Sequence, residues 1–388
     1  MIPYSRQFID NKDMKSVLNV MKSDLITQGP IVKKFEKKLS NYCNAKFAVA
    51  VSSATAALHL SCMSLGLKKG DYLWTSPISF VASANCGVYC GAEIDFVDIN
   101  ELTFNIDTSK LEQKLKFAKK KNKLPKIIIP VHLGGLSSNM KEIFRLSKIY
   151  KFKIIEDASH ALGSKIGNFK VGSCKYSDLT VFSFHPVKII TTGEGGAILS
   201  NKKKLFKKLN LMRTSGVNKE INKNKLKKIG YWYYEQICNG YNYRMNEMSA
   251  ALGYSQLKKI NSFIKERNLI SRKYLIKLSN ENIIFQKIPR NFFSSYHLFI
   301  IRVDKNIRKI LFDALRNKRY YVNVHYIPIY KHPFYKKKFN KKEFPQSEKY
   351  YSEAISIPIY PNLKSKDINN VVMIIKKILN NYAKSKKD

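Results

Sequence analysis

The sequence is poor in acidic residues, holding 28 Asp plus Glu against 70 Lys plus Arg in 388 residues, a formal charge of 70 − 28 = +42. That deficit excludes an acidic solvating chain and brings nucleic acid or an anionic membrane forward as partners. Other absences push back. No zinc-finger spacing, RNP-type motif or clear helix-turn-helix accompanies the charge, so no specific nucleic acid is expected. No run of about 18 apolar residues occurs, so no membrane-spanning helix is expected. MIPYSRQFID lacks an apolar signal core, and neither end resembles a lipidation motif, which leads us to expect a cytoplasmic protein. Cysteine is sparse. Cys43, Cys62, Cys86, Cys90, Cys174 and Cys238 are scattered, and the Cys86/Cys90 spacing suits neither a zinc knuckle nor a redox pair. Reduced, mostly buried thiols are the expectation, with no metal.

What is present is enough for a folded core. Hydrophobic residues make up 44% of the chain, with 17 Gly and 12 Pro, which fits one large or two ordinary domains. The positive charge comes in short runs at Lys119–Lys121, Lys202–Lys204, Lys336–Lys338 and the tail AKSKKD. Mixed with Asn and Ile, these runs read as a solvated surface whose field would speed the encounter with an anionic substrate.

Apolar runs bounded by turn residues recur as FAVAVSS, YLWTSPISF, EIDFVDI, KIIIPVHL, KIIEDAS and LTVFSF. Near-continuous apolar strands belong where both sheet faces are covered, so residues 1–255 read as one α/β domain with a mainly parallel sheet. From about Met245 a helical pattern runs on without Gly or Pro after Gly253, a plausible connector to a second domain. HLFIIRV, the helix-like NIRKILFDALRNKR, YYVNVHYIPIY and a closing helix near INNVVMIIKKILNNY make residues 256–388 a smaller α+β domain.

Three motifs carry chemistry. In SSATAALHL (52–60) small hydroxyl residues stand where a strand gives way to a helix, so a phosphate could approach the free N–H groups; a plain Ser/Thr cap explains the pattern as well. In IIEDASHALGS (154–164) Asp157 falls at the carboxyl end of a strand, where open α/β sheets bind ligands, although a helix-capping Asp is equally open. In VFSFHPVKIITTGEGGAIL (181–199) Lys188 stands in an apolar stretch with Ser183, Thr191, Thr192 and three glycines, which fit neither a Walker loop nor a Rossmann fingerprint. Desolvation lowers a lysine's pKa and makes its amine a nucleophile able to form a Schiff base; a lysine snorkelling from a strand end is the alternative. Together the motifs suggest pyridoxal 5'-phosphate. Its phosphate would lie on Ala54 and Thr55, its pyridine nitrogen on Asp157 and its aldehyde carbon on Lys188, with Phe80 over the ring unless Phe80 is ordinary core.

These residues resemble a known family, the pyridoxal-phosphate aminotransferases of nucleotide-linked keto sugars called the DegT/DnrJ/EryC1/StrS group. The resemblance runs from IPYSRQFID through LITQGPIVKKFE, GYNYRMNEMSAAL and VHYIPIY, and is most specific in WTSPISFVASANCGVYCGAEIDFVDI and FSFHPVKIITTGEGGAI. It implies the aspartate-aminotransferase type of fold, fold type I, and a homodimer with shared sites. It implies that Lys188 is the imine-forming lysine and proton carrier, that Asp157 pairs with the pyridine nitrogen, and that His160 lies near the phenolic oxygen. Ala54, Thr55 and Ser183 would hold the phosphate, completed by Asn242 from the other subunit. Tyr4, the segment Asp24, Leu25, Ile26 and Thr27, and His325 with Tyr326 match sugar-nucleotide contacts. Some family members carry histidine in place of the lysine and dehydrate sugars; Lys188 here favours transamination. Within the group the chain is most similar to members that aminate a UDP-linked 4-keto-6-deoxy-N-acetyl hexosamine at C4 for pseudaminic acid, with L-glutamate leaving as 2-oxoglutarate. A sister enzyme for another UDP- or TDP-keto sugar is the nearer alternative, and a basic nucleic-acid-binding protein the distant one.

Overall fold

The computed structural model describes residues 1–218, 221–336 and 339–385. Its centre is a seven-stranded sheet built from β1 (Phe47–Val51), β2 (Tyr72–Thr75), β3 (Glu93–Phe96), β4 (Ile127–Ile129), β5 (Lys153–Asp157), β6 (Leu179–Ser183) and β7 (Gly196–Ser200). The spatial order is β1-β7-β6-β5-β4-β2-β3. All neighbours are parallel except β7, which runs antiparallel to both β1 and β6.

The six apolar runs become β1 to β6, and Ile127, Ile128 and Ile129 show why: all three are fully buried, as a strand covered on both faces requires. β7 was not foreseen as a strand. Its GAILS is fully buried, and Gly196 is fixed by close approach, because a Cβ there would meet the Ala54 nitrogen and Ser53 carbonyl at 2.6 Å. The helix Ala54–Ser64 therefore begins directly against β7, capped by the Ser53 side chain, which accepts from the Ala56 N–H.

The helical pattern after Met245 resolves into two helices, Glu247–Gln256 and Ile260–Lys277, separated by a turn. The second joins two cores. Ile260, Phe263 and Ile264 pack with the strands of the large sheet, whereas Ile270 and Tyr274 pack with the C-terminal core. That core covers an antiparallel sheet of β8 (Ile284–Phe285), β9 (Phe299–Arg302) and β10 (Ala354–Ile357) with helices Lys305–Asn317 and Ser365–Ser385. Only Tyr320–Tyr321 of YYVNVHYIPIY forms a strand, and it pairs in parallel with Ile2–Pro3, so the N-terminus lies against the C-terminal unit. No helix among the described residues is long and apolar enough to cross a membrane. The six cysteines are free thiols; Cys43, Cys62, Cys86 and Cys174 are buried.

Candidate active site

The register of β5 against β6 pairs Asp157 with Val181, and both strands end at the same edge of the sheet. Because side chains alternate along a strand, Glu156 and Asp157 serve opposite faces. Glu156 is locked structurally: its Oε2 lies 2.8 Å from His132 Nε2, and Oε1 accepts from Ser177 and Thr180. Asp157 turns to the other side, only 5% exposed. Its Oδ1 accepts from the Ser159 N–H (3.2 Å) and hydroxyl (2.6 Å), and its Oδ2 from the Ser83 hydroxyl (2.6 Å).

Lys188 lies in the tight loop between β6 and β7. The Thr192 N–H and the Thr191 hydroxyl both bond the Phe184 carbonyl, and the Lys188 N–H bonds the His185 carbonyl. The residue as a whole is half-buried, but its amine is withdrawn from water, which pulls its pKa from 10.5 to about 8 against the opposing attraction of Asp157. No hydrogen bond or ion pair engages that amine among the described residues.

Around the amine stands a wall of neutral imidazoles. His160 and His297 have ring centroids 4.3 Å apart, and His325 adjoins Tyr326 with centroids 4.9 Å apart. Burial, with the Lys188 charge adding to it, holds all three pKa values below 6.5, that of His325 at about 3. The Gly134 N–H points at His160 Nδ1 (3.4 Å), so the neutral ring carries its proton on Nε2, which lies 2.9 Å from the Tyr326 hydroxyl. Burial drives the Tyr326 phenol well above its ordinary pKa, keeping it protonated.

Several expected residues meet here. Lys188 is in electrostatic reach of Asp157, His160 and His325; Tyr4 stacks edge-on to His325 with centroids 4.7 Å apart; and Phe80 lies 6.4 Å from the Tyr326 ring. Phe80 is 58% exposed, which removes the ordinary-core alternative. Ser183 ends β6, its Oγ 3.5 Å from the His185 nitrogen. Ala54 and Thr55 open their helix as expected.

Asn242 and the segment Asp24–Thr27 do not join the cluster through any contact among the described residues. Both are exposed, and they border the same stretch: Asn242 bridges Thr214, Thr27 bridges Asn246, and the Ile26 carbonyl accepts from the Glu247 N–H. Leu25 and Ile26 expose apolar side chains there. His297, Ser83 and Ser79 were missed from the sequence. The hydroxyl spacing of Ser79 and Ser83, four residues apart beside Phe80, was a usable signal; His297 comes into place only through folding.

The sequence pattern of the DegT/DnrJ/EryC1/StrS aminotransferase family matches residues 7–376. The chain belongs to this family. It is 38% identical over 392 residues to the UDP-4-amino-4,6-dideoxy-N-acetyl-beta-L-altrosamine transaminase of Campylobacter jejuni, covering 99% of this chain and 100% of that one. Its fold is similar to that of Helicobacter pylori PseC, described as an aminotransferase of pseudaminic acid biosynthesis, with TM-score 0.88, 32% identity and coverage of 98% and 99%. It is likewise similar to the PLP-form of the sugar aminotransferase Spr1654 from Streptococcus pneumoniae, with TM-score 0.88, 26% identity and coverage of 98% and 99%. The DegT family's fold type I and aminotransferase class thus hold for this chain, and the family's aminotransferases depend on pyridoxal phosphate.

Proposed function

We propose that this DegT-family enzyme moves the amino group of L-glutamate to C4 of a UDP-linked 4-keto-6-deoxy-N-acetyl hexosamine, in pseudaminic acid biosynthesis. The α-carbon of glutamate is oxidised to the ketone of 2-oxoglutarate while the sugar ketone is reduced to an amine, so the exchange balances without another oxidant. The carrying observation is the desolvated Lys188 amine within electrostatic reach of Asp157, which ends its strand at the carboxyl edge of the sheet.

The residues suit pyridoxal phosphate. Ser53 occupies the Ala56 N–H and leaves those of Ala54 and Thr55 for a phosphate at the positive end of the helix dipole, with Ser183 at the end of the nearby β6. The buried Asp157 carboxylate suits a protonated ring nitrogen, and exposed Phe80 suits the ring face. When bound, this group supplies an electron sink for the carbon that loses its proton. Lys188, with a pKa near operating pH, is suited to carry that proton from one carbon to the next. His160, neutral, gives its Nε2–H to the Tyr326 hydroxyl, so the pair would present the phenol's own proton to an oxygen bound there. His325, Tyr326 and Tyr4 border the same space and would read the sugar nucleotide.

The exposed Asp24–Thr27 segment bridges Asn246, four residues along the chain from exposed Asn242. In a homodimer this stretch would bring Asn242 to the phosphate of the partner's site and Asp24–Thr27 to its substrate. The chain then divides near residue 255 into a cofactor-binding unit and a smaller C-terminal unit. Incubation of the loaded protein with L-glutamate and the UDP-linked 4-keto sugar should yield the 4-amino sugar and equimolar 2-oxoglutarate, read by NMR. Turnover of a TDP-keto or 3-keto sugar, with the UDP-linked 4-keto sugar inert, would overturn the substrate assignment.

A further inference from the structure

The Asp157 carboxylate is held from two sides, and the two holds differ in kind. Ser159, two residues along, makes a local turn onto Oδ1. The bond to Oδ2 comes from Ser83, 74 residues away at the start of helix Ala82–Tyr89. Ser83 is fully buried, and its oxygen lies 2.7 Å from that of Ser79, itself 3% exposed.

The direction of this chain follows from proton counting. An ionised carboxylate can only accept, so the single Ser83 proton goes to Asp157, and the Ser79–Ser83 contact must use the Ser79 proton. The order is Ser79 O–H to Ser83 O–H to Asp157 Oδ2. Each link polarises the next in a low-dielectric interior. A carboxylate fixed by buried donors presents its remaining lone pairs in one direction to a further partner.

We infer that Ser83, backed by Ser79, is a positioning residue that fixes Oδ2 of Asp157 and keeps the proton of the Asp157–ring-nitrogen pair on nitrogen. The inference rests on the pyridoxal phosphate reading of the site. The same five-residue segment, Ser79 to Ser83, also carries exposed Phe80, so one short turn supplies both the aromatic cover and the support beneath Asp157.

The test compares wild type, Ser83→Ala, Ser83→Thr and Ser79→Ala, each loaded with pyridoxal phosphate labelled with ¹⁵N at the ring nitrogen. Wild type should show a protonated-nitrogen signal across neutral pH. Ser83→Ala should move the midpoint of that signal to lower pH and slow the glutamate half-reaction by about 10- to 100-fold, the worth of one hydrogen bond to a charged group. The KM for the sugar nucleotide should hold. Ser83→Thr, which keeps the hydroxyl, should restore the nitrogen signal, and Ser79→Ala should shift it less and in the same direction. An unchanged midpoint and rate in loaded Ser83→Ala would overturn the inference. Should that variant fail to fold, an unshifted midpoint in Ser79→Ala overturns it instead. Wild type that takes up no cofactor would defeat the underlying site reading, a result distinct from either.

Discussion

The Tyr326 hydroxyl lies 2.9 Å from Nε2 of His160, joining residues 166 positions apart. His160 follows the carboxyl end of β5, whereas Tyr326 comes from the segment before the 3-10 turn Ile329–Lys331. The bond brings a C-terminal segment onto the edge of the large sheet where Lys188 emerges. With Nδ1 facing the Gly134 N–H, the imidazole is the donor and the phenol the acceptor. Tyr326→Phe should therefore cost about 1 kcal/mol of stability. Its kcat/KM for the sugar nucleotide should fall while the glutamate half-reaction holds. Denaturant titration and single-turnover kinetics with each substrate check this, and equal loss in both half-reactions would place Tyr326 elsewhere.

Lys188→Ala should reduce turnover to background. Lys188→Arg should not rescue it, because a guanidinium stays protonated and cannot carry the proton. Steady-state assays at saturating glutamate decide this.

The depressed pKa of Lys188 has its own signature in protein stripped of cofactor. The folded value of about 8 lies below the ordinary 10.5, so the folded state binds fewer protons between these limits and stability rises with pH across that window. Below pH 8 the buried cation is a full burden, at most about 3 kcal/mol. Lys188→Met should be more stable than wild type at pH 7, with the difference closing by pH 10.5. Urea midpoints measured across this range test it.

The imidazoles act at the other end of the scale. His160, His297 and His325 all have folded pKa values below 6.5, so their contribution is present above pH 6.5 and is lost as pH falls toward the folded values. Each can add a slope of up to about 1.4 kcal/mol per pH unit. Stability should drop between pH 6.5 and 5, above the range where ordinary carboxylates titrate. His297→Gln should flatten the slope, and a wild-type midpoint level over that interval would contradict the arrangement.

Arg267 is fully buried, with no carboxylate paired to it among the described residues. Burial lowers its pKa to about 9, and its two terminal nitrogens donate to the carbonyls of Tyr296, His297 and Ile359 and to the Ser5 hydroxyl, while Nε has no partner among the described residues. Ser5 in turn donates to the Val187 carbonyl beside Lys188. Arg267→Ala should cost about 3 kcal/mol, because it strands several buried carbonyls at once. The melting curve and urea midpoint of the variant measure the loss.

Much of this arrangement is legible in the sequence for physical reasons. Strands buried on both faces must be apolar, so KIIIPVHL and LTVFSF mark themselves, and a lysine among such residues stands out. β7 escapes notice because its one glycine, Gly196, serves close packing on the Ser53–Ala54 turn rather than a loop. The break between Gln256 and Ile260 carries no Gly or Pro, so only packing against two separate cores reveals it. His297 reads as the polar start of an apolar strand until folding sets its ring against His160. The spacing of Ser79 and Ser83 signals a hydroxyl pair, but only folding shows what it serves, the Oδ2 side of Asp157.

The most direct test is the visible absorption of the protein incubated with pyridoxal phosphate, recorded before and after adding L-glutamate. Wild-type protein should be yellow, with a visible band that disappears with glutamate and returns with 2-oxoglutarate, and Lys188→Ala should show no such exchange. A wild-type protein that stays colourless, or whose band is indifferent to glutamate, would contradict the transaminase mechanism at Lys188.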